Sequence, residues 1–169
     1  MDFAEYMRGQ RPALMRFATV LTGQTWLADD LVSDVLDRAF ERWDSIGSMA
    51  HPHAYVRRMI VNDFVSWRRR LKRTVPAADL TEHGGTVPDD TDVHAERDEM
   101  IARLGRLPRR QRAAVVLRYY AGLPDAEIAA ELGCQESTVR SQIARALTSL
   151  RIATTETRVH RDVVTLESR

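Results

Sequence analysis

Three sets of side chains in this chain have types and spacings that can do chemistry, and in each the chemistry is binding rather than bond-making. The first is Ser137, Thr138, Arg140, Ser141 and Arg145, within the stretch 123–151. At about 100° per residue, Ser137, Arg140, Ser141, Ala144, Arg145 and Thr148 share one side of a helix. Val139, Ile143, Ala146, Leu147 and Leu150 share the other. A helix that is apolar behind and short, polar and basic in front suits the major groove of DNA. Arg140 and Arg145 can read guanine edges or hold phosphates, and spacing does not decide between the two. A bidentate base contact would discriminate by about 1–3 kcal/mol.

The second set is Arg58, Asn62, Ser66, Arg69 and Arg73, which fall in a narrow sector of one helix. An ordinary solvated face mixes signs; this one holds no acid. Asparagine is a poor residue for a helix centre, so Asn62 needs a reason. One reason is a nucleic-acid groove, with Arg on phosphate and Asn on a base edge. The plainer alternative is that Asn62 bonds a neighbouring loop. The third set, Asp30, Asp34, Asp37 and Glu41, recurs at helical spacing. Such a run is usually only solvated. A chain that binds DNA nevertheless has reason to avoid clustered acids, unless they face a different and basic partner. That makes the stripe a candidate protein-docking surface.

Nothing comparable points to catalysis. There is no Ser-His-Asp set, no phosphate-cradling Gly-rich loop and no HExxH spacing. His51 and His53 read as loop and cap residues. Cys134 is the only cysteine, which rules out an internal disulfide and a cysteine-based metal cluster. The expectation is a non-enzyme with no cofactor, no metal and no small-molecule substrate.

The elements that must position these sets are helices. Residues 123–151 read as helix, tight turn at Gly133 and longer helix. Small Ala129, turn-forming Gly133 and apolar Val139 have the spacing of a helix-turn-helix. Upstream, Phe3, Tyr6, Met7, Leu14, Phe17, Ala18 and Leu21 form a helical pattern with a break or bend expected near Gly9 and Pro12 and a stop at Gly23. Thr25 reads as the N-cap of a helix striped by Leu27, Leu31, Val35, Leu36, Ala39, Phe40 and Trp43. A loop over residues 44–53 precedes a helix opened by Pro52, with Val56, Ile60, Phe64, Trp67 and Leu71 inward. Residues 74–97, acidic and punctuated by Pro76, Gly84, Gly85 and Pro88, read as a flexible linker. Structure resumes with a helix from about Ala95 to Arg106 and another opened by Pro108 and stopped by Gly122. The fold class expected is all-α. Two small helical domains, 1–73 and 98–152, are joined by the linker, and a polar tail over 153–169 has no assigned role.

The totals agree. The chain has 169 residues, 25 basic and 24 acidic, for a formal charge of +1. The sum hides segregation: bases crowd between Arg57 and Arg73 and from Arg103 to Arg151, acids between Asp79 and Glu99. No apolar run is long enough to span a membrane, and the N-terminus lacks the order of a signal peptide. The expected location is cytoplasmic.

Several segments occur together in an order that resembles one family. They are Ala28-Asp-Asp-Leu-Val-Ser-Asp-Val-Leu36, Ala54-Tyr-Val-Arg-Arg-Met-Ile-Val-Asn62 with Trp67-Arg-Arg-Arg70, Leu107-Pro-Arg-Arg-Gln-Arg112 with Val116-Leu-Arg-Tyr-Tyr120, and the helix-turn-helix. The chain resembles a bacterial extracytoplasmic-function (ECF) sigma factor of the sigma-70 family, closest to the actinobacterial SigE-like group. The resemblance implies that domain 1–73 is region 2 and domain 98–152 is region 4. It implies core RNA polymerase as a partner, through the β′ clamp helices at Asp30, Asp34, Asp37 and Glu41 and through the β flap. Promoter DNA would be the second partner. Ser137, Thr138, Arg140, Ser141 and Arg145 would read the −35 element. Arg58, Asn62, Ser66, Arg69 and Arg73, with the loop 44–53, would capture an unpaired −10 base of the non-template strand. An anti-sigma factor is a third partner the family implies. Two positions depart from the family: Pro124 stands where a capping Ser is usual, and Ala144 is small. A stand-alone helix-turn-helix repressor or activator is the competing reading. It would need only one DNA surface and commonly dimerises. A recombinase or nuclease would need a nucleophile or carboxylate cluster that is missing upstream.

Overall fold

The computed structural model describes the backbone of residues 2–74 and 92–167 and the side chains of residues 2–66 and 97–151. The described residues are helices and short connections, in two compact units, Met1–Asp98 and Glu99–Arg169.

In the first unit, α1 (Phe3–Thr22) continues unbroken past Pro12, near which a break or bend is expected. Proline removes one N–H and crowds the carbonyl four residues back. That carbonyl belongs to Arg8, on an exposed stretch where water can satisfy it. Gly23 ends the helix as expected, at φ +80°, with its N–H donating to the Thr19 carbonyl at 2.8 Å. The cap of α2 (Thr25–Phe40) differs from expectation. Thr25 is the first helical residue and Gln24 holds the cap position. The ordering hydroxyl is that of Thr22, which accepts the Gln24 N–H at 3.3 Å and donates to its carbonyl at 2.9 Å.

The chain after Phe40 also differs. The stripe read through to Trp43 is interrupted: α2 stops at Phe40, and a one-turn helix, α3 (Trp43–Ile46), follows. Trp43 and Ile46 are buried, whereas Phe40 is 63% exposed and packs its ring on Phe3 at 5.1 Å. The fourth helix, α4 (Pro52–Thr74), begins at its proline as predicted. The core lies where α2 packs against both α1 and α4. It is built from Leu14, Ala18 and Leu21 of α1, Leu31, Val32 and Val35 of α2, and Val56, Ile60 and Val61 of α4, all essentially without solvent contact. Each large aliphatic side chain so buried contributes roughly 1.5–3 kcal/mol. That apolar burial decides which faces of α2 and α4 look outward. The side chains of Trp67 and Leu71, expected inward, lie outside the described residues, as does the greater part of the linker 74–97.

The second unit contains α5 (Asp92–Gly105), α6 (Arg109–Val115), a π-helical turn (Val116–Tyr120), α7 (Asp125–Leu132) and α8 (Glu136–Glu167). Pro108 sits at the cap of α6. Arg112 is buried, and its guanidinium donates to the carbonyls of Gly105 and, at 3.3 Å, Leu107. It thereby satisfies the end of α5 that no helical N–H reaches. In the π-helical turn the Ala121 N–H reaches five residues back, to the Val116 carbonyl at 3.1 Å. Leu117 is fully buried there, while Tyr119 and Tyr120 are exposed. The helix-turn-helix is α7, Gly133 at φ +61°, and α8. A side chain at that φ would be strained. Helix α8 does not stop near Arg151 but continues to Glu167. No glycine or proline occurs between Glu136 and Glu167, so nothing in the covalent chain interrupts it. The tail read over 153–169 is therefore mostly helix. Among the described residues no helix is long and apolar enough to cross a membrane.

Candidate nucleic-acid and docking surfaces

The outer face of α8 follows from what its inner face buries. Val139 and Ala146 are fully enclosed and Ile143 nearly so, on a helix that packs against both α6 and α7. Ser137, Arg140, Ser141, Ala144, Arg145 and Thr148 are exposed in consequence, while Thr138 is half-buried. The hydroxyls fold back onto their own helix. Ser141 Oγ donates to the Thr138 carbonyl at 2.9 Å and Thr148 Oγ1 to the Ala144 carbonyl at 3.0 Å. With that proton engaged, each retains acceptor lone pairs for a ligand.

The two arginines of this face stand differently. Arg140 lies 3.8 Å from Asp125 and 3.7 Å from Glu136, with its side chain 61% exposed. Those separations exceed a charge-assisted hydrogen bond, and exposed pairs of this kind hold weakly. Asp125, the first residue of α7, is engaged more directly by Arg118 from the π-helical turn. Arg140 is steadied without being neutralised. Arg145 makes no ion pair among the described residues. Pro124 takes the cap position of α7, with extended backbone (φ −72°, ψ 161°) and no side-chain cap bond. Asp125 and Glu127 supply negative charge to the first turn, the end a helix dipole favours for it.

On α4, Arg58 and Asn62 are exposed and Ser66 half-buried, successive turns of one face. Ser66 Oγ donates to the Asn62 carbonyl at 2.6 Å. The Asn62 amide itself makes no hydrogen bond among the described residues, so the loop-bonding alternative finds no partner there. The side chains of Arg69 and Arg73 lie outside the described residues. The sequence reading missed Tyr55, partly exposed and, at about 100° per residue, in the same sector as Arg58 and Asn62. An exposed aromatic among bases is a stacking platform for an unpaired base. Its signal was available: an aromatic on the polar side of an amphipathic helix.

On α2, Asp30, Asp34, Asp37 and Glu41 are all exposed. None makes an ion pair among the described residues. Neighbouring acids do: Asp29 pairs with Arg11 at 3.2 Å, and the buried Asp63 of α4 takes Arg38. Arg11 and Arg38 are thus engaged by other carboxylates, and the stripe is left without an ion pair among the described residues. Trp26, 60% exposed, lies roughly 50° around the helix from the acids. Phe40 lies farther round on the same side. Exposed aromatics are enriched at protein interfaces, whereas Asp and Glu are depleted there, so an acidic stripe bordered by Trp26 and Phe40 suits a partner that is itself basic. Periodicity singles out neither: Phe40 falls in the apolar stripe read as inward, and Trp26 stands outside it.

Between α3 and α4 the loop is held by aromatic packing. Trp43 lies 5.0 Å from Phe3 and 4.6 Å from Tyr6, ring centre to ring centre. The Tyr6 hydroxyl lies 3.4 Å from His53 Nδ1. Burial pushes the Tyr6 phenol up to about 12. Burial, and then the Arg57 charge, hold the His53 imidazole below its usual value.

Comparison with known proteins gives two family matches, Sigma-70 region 2 over residues 7–74 and Sigma-70, region 4 over residues 97–150. An RNA polymerase sigma-E factor of Streptomyces avermitilis is 37% identical over 89% of this chain and 84% of its own length. ECF RNA polymerase sigma factor SigL of Mycobacterium tuberculosis is 31% identical over 88% of this chain and 86% of its own. Among solved structures, the sigma factor RpoE of Bartonella quintana, in complex with the anti-sigma factor NepR, superposes with a TM-score of 0.65 at 27% identity. It covers 91% of this chain and 97% of that one.

Proposed function

The chain belongs to the extracytoplasmic-function RNA polymerase sigma factors, and from that premise we propose how its surfaces divide the work of promoter-directed transcription initiation. Residues 1–73 act as region 2 and residues 98–152 as region 4, with 74–97 as the linker and 153–169 as an extension of unassigned role. Asp30, Asp34, Asp37 and Glu41, left unneutralised on α2, dock on basic side chains of the core polymerase. Trp26 and Phe40 add apolar contact beside them. Ser137, Thr138, Arg140, Ser141 and Arg145 read the −35 element from α8. Arg58, Asn62, Ser66, Arg69 and Arg73 hold the melted −10 strand, and Tyr55 stacks on a base that has left the duplex. The chain performs no catalysis itself; the polymerase supplies the bond-making. Its place of work is the cytoplasm, where its polymerase partner acts, and an anti-sigma factor is its expected regulator.

One observation carries the division most strongly. The acid-free face of α4 holds Asn62 in solvent, while a separate helix of the same unit keeps an unpaired acidic stripe. A stand-alone repressor has no use for both. The test is reconstitution with core RNA polymerase on a promoter library. The expected result is a promoter-dependent transcript, with Asn62→Ala losing permanganate reactivity near the start site while −35 binding persists. No transcript from folded protein and competent core would sink the assignment. Reactivity that survives Asn62→Ala would remove the base-capture role alone.

A further inference from the structure

Arg38 is the one base of α2 that lies between the docking acids, one residue after Asp37 and one turn after Asp34. Its guanidinium does not pair with them. It reaches across to the Asp63 carboxylate on α4, and its Nε donates to the Asp34 backbone carbonyl at 3.1 Å. The Asp63 side chain is only 10% exposed and that of Arg38 37%, so the pair is largely withdrawn from water on the Asp63 side. Asp63 directly follows Asn62, and consecutive helical residues point about 100° apart. A carboxylate anchored inward at 63 therefore sets the rotation of α4 at which the amide at 62 looks outward. Ser66 Oγ lies on the carbonyls of both residues, at 2.6 and 3.4 Å. The apolar contacts of Val56, Ile60, Val61 and Phe64 hold α4 down but are non-directional. The ion pair is directional, and its other end belongs to the helix turn that carries Asp34 and Asp37.

We propose that the Arg38–Asp63 pair is a positioning device linking polymerase docking to promoter opening. It transmits the fixed orientation of the docked α2 to α4 and so presents Asn62. The proposal rests on the roles assigned above to the acidic stripe and to Asn62. Neither Arg38 nor Asp63 touches polymerase or DNA in this scheme; both act through their neighbours.

The test uses the full chain with core polymerase. Three quantities are read: affinity for core, −35 binding, and permanganate reactivity of the −10 strand at saturating core. Asp63→Asn is expected to lower reactivity roughly tenfold while core affinity changes by less than about threefold. A second variant guards against simple unfolding. Arg38→Met with Asp63→Leu replaces the pair by apolar side chains and removes the buried charge. It is expected to keep its thermal stability and core affinity and still open poorly. Unchanged opening in both variants would overturn the proposal. So would losses of opening, core affinity and thermal stability in step, since a merely structural pair gives that pattern. Asn62→Ala is run alongside. If it abolishes opening and Asp63→Asn does not, only the positioning role fails. If it leaves opening intact, the base-capture reading fails and the positioning role with it.

Discussion

Replacing Gly47 by alanine should disturb the loop before α4 by a calculable amount. Gly47 has a φ of −64°, so no backbone preference requires glycine there. Its constraint is space. A Cβ at 47 would lie 2.9 Å from Trp43 Nε1 and 2.9 Å from the Trp43 carbonyl oxygen. The indole cannot swing aside freely, because Trp43 is buried and wedged against Phe3 and Tyr6. Overpacking of this kind costs about 1–3 kcal/mol. Glycine to alanine at an allowed φ would otherwise stabilise by about 0.4–1 kcal/mol through the unfolded chain. The central values of the two ranges leave a net loss of roughly 1.3 kcal/mol, or roughly 5–10 °C in Tm for a unit of this size. The assay is thermal unfolding followed by tryptophan fluorescence. Trp26, Trp43 and Trp67 all lie in the first unit, so the signal reports on that unit alone. Promoter opening should fall with it while −35 binding is untouched, since the loop leads directly into α4. Trp43→Phe in the same chain should make the alanine cost less than it does alone. A Tm that stays constant or rises in Gly47→Ala would refute the steric argument.

Further predictions concern pH and the −35 contacts. His53 has its pKa lowered by burial and by Arg57. The unfolded chain, with an ordinary value of about 6.5, therefore takes up the proton first. The stability contribution is fully present above that value and is lost as pH falls through it toward the folded pKa. The Tm of the first unit should drop on acidification below about pH 6.5, and His53→Gln should flatten the drop; an equally steep profile in the variant would exclude His53 as its source. Arg140→Ala and Arg145→Ala should both weaken −35 binding. A base contact would cost about 1–3 kcal/mol and relax one promoter position, whereas a phosphate contact would reduce the salt dependence by about one ion. No change in either variant would take that arginine out of the interface.

The helical faces were legible in the sequence because burial is periodic. A side chain at every third or fourth position either enters the core or stays out, and this pattern assigns Val139 inward and Arg140 outward before any packing is known. The same rule read the acidic stripe of α2 and the Arg58–Asn62 sector of α4. Gly23, Gly133, Pro52 and Pro108 marked helix ends through their own covalent geometry. Periodicity is blind to what a face meets, and there the tertiary structure decided. Phe40 satisfies the apolar period yet stays largely in solvent, because α2 ends there and the Phe3 ring covers only part of it. Pro12 satisfies the rule for a helix break yet sits within α1, where water reaches the carbonyl it displaces.

The ion pairs were beyond sequence for the same reason. Asp29, Asp30, Asp34, Asp37 and Asp63 are one residue type, and Arg11 and Arg38 another. Which acid is spent on which base depends on helices brought together across 18 to 25 residues of chain. The packing assigns Arg11 to Asp29 and Arg38 to Asp63, and leaves Asp30, Asp34, Asp37 and Glu41 exposed and without an ion pair among the described residues. The three sets of candidate binding residues follow from the order of amino acids along each helix. That α2 and α4 are tied together at Arg38 and Asp63 follows only from how those helices pack.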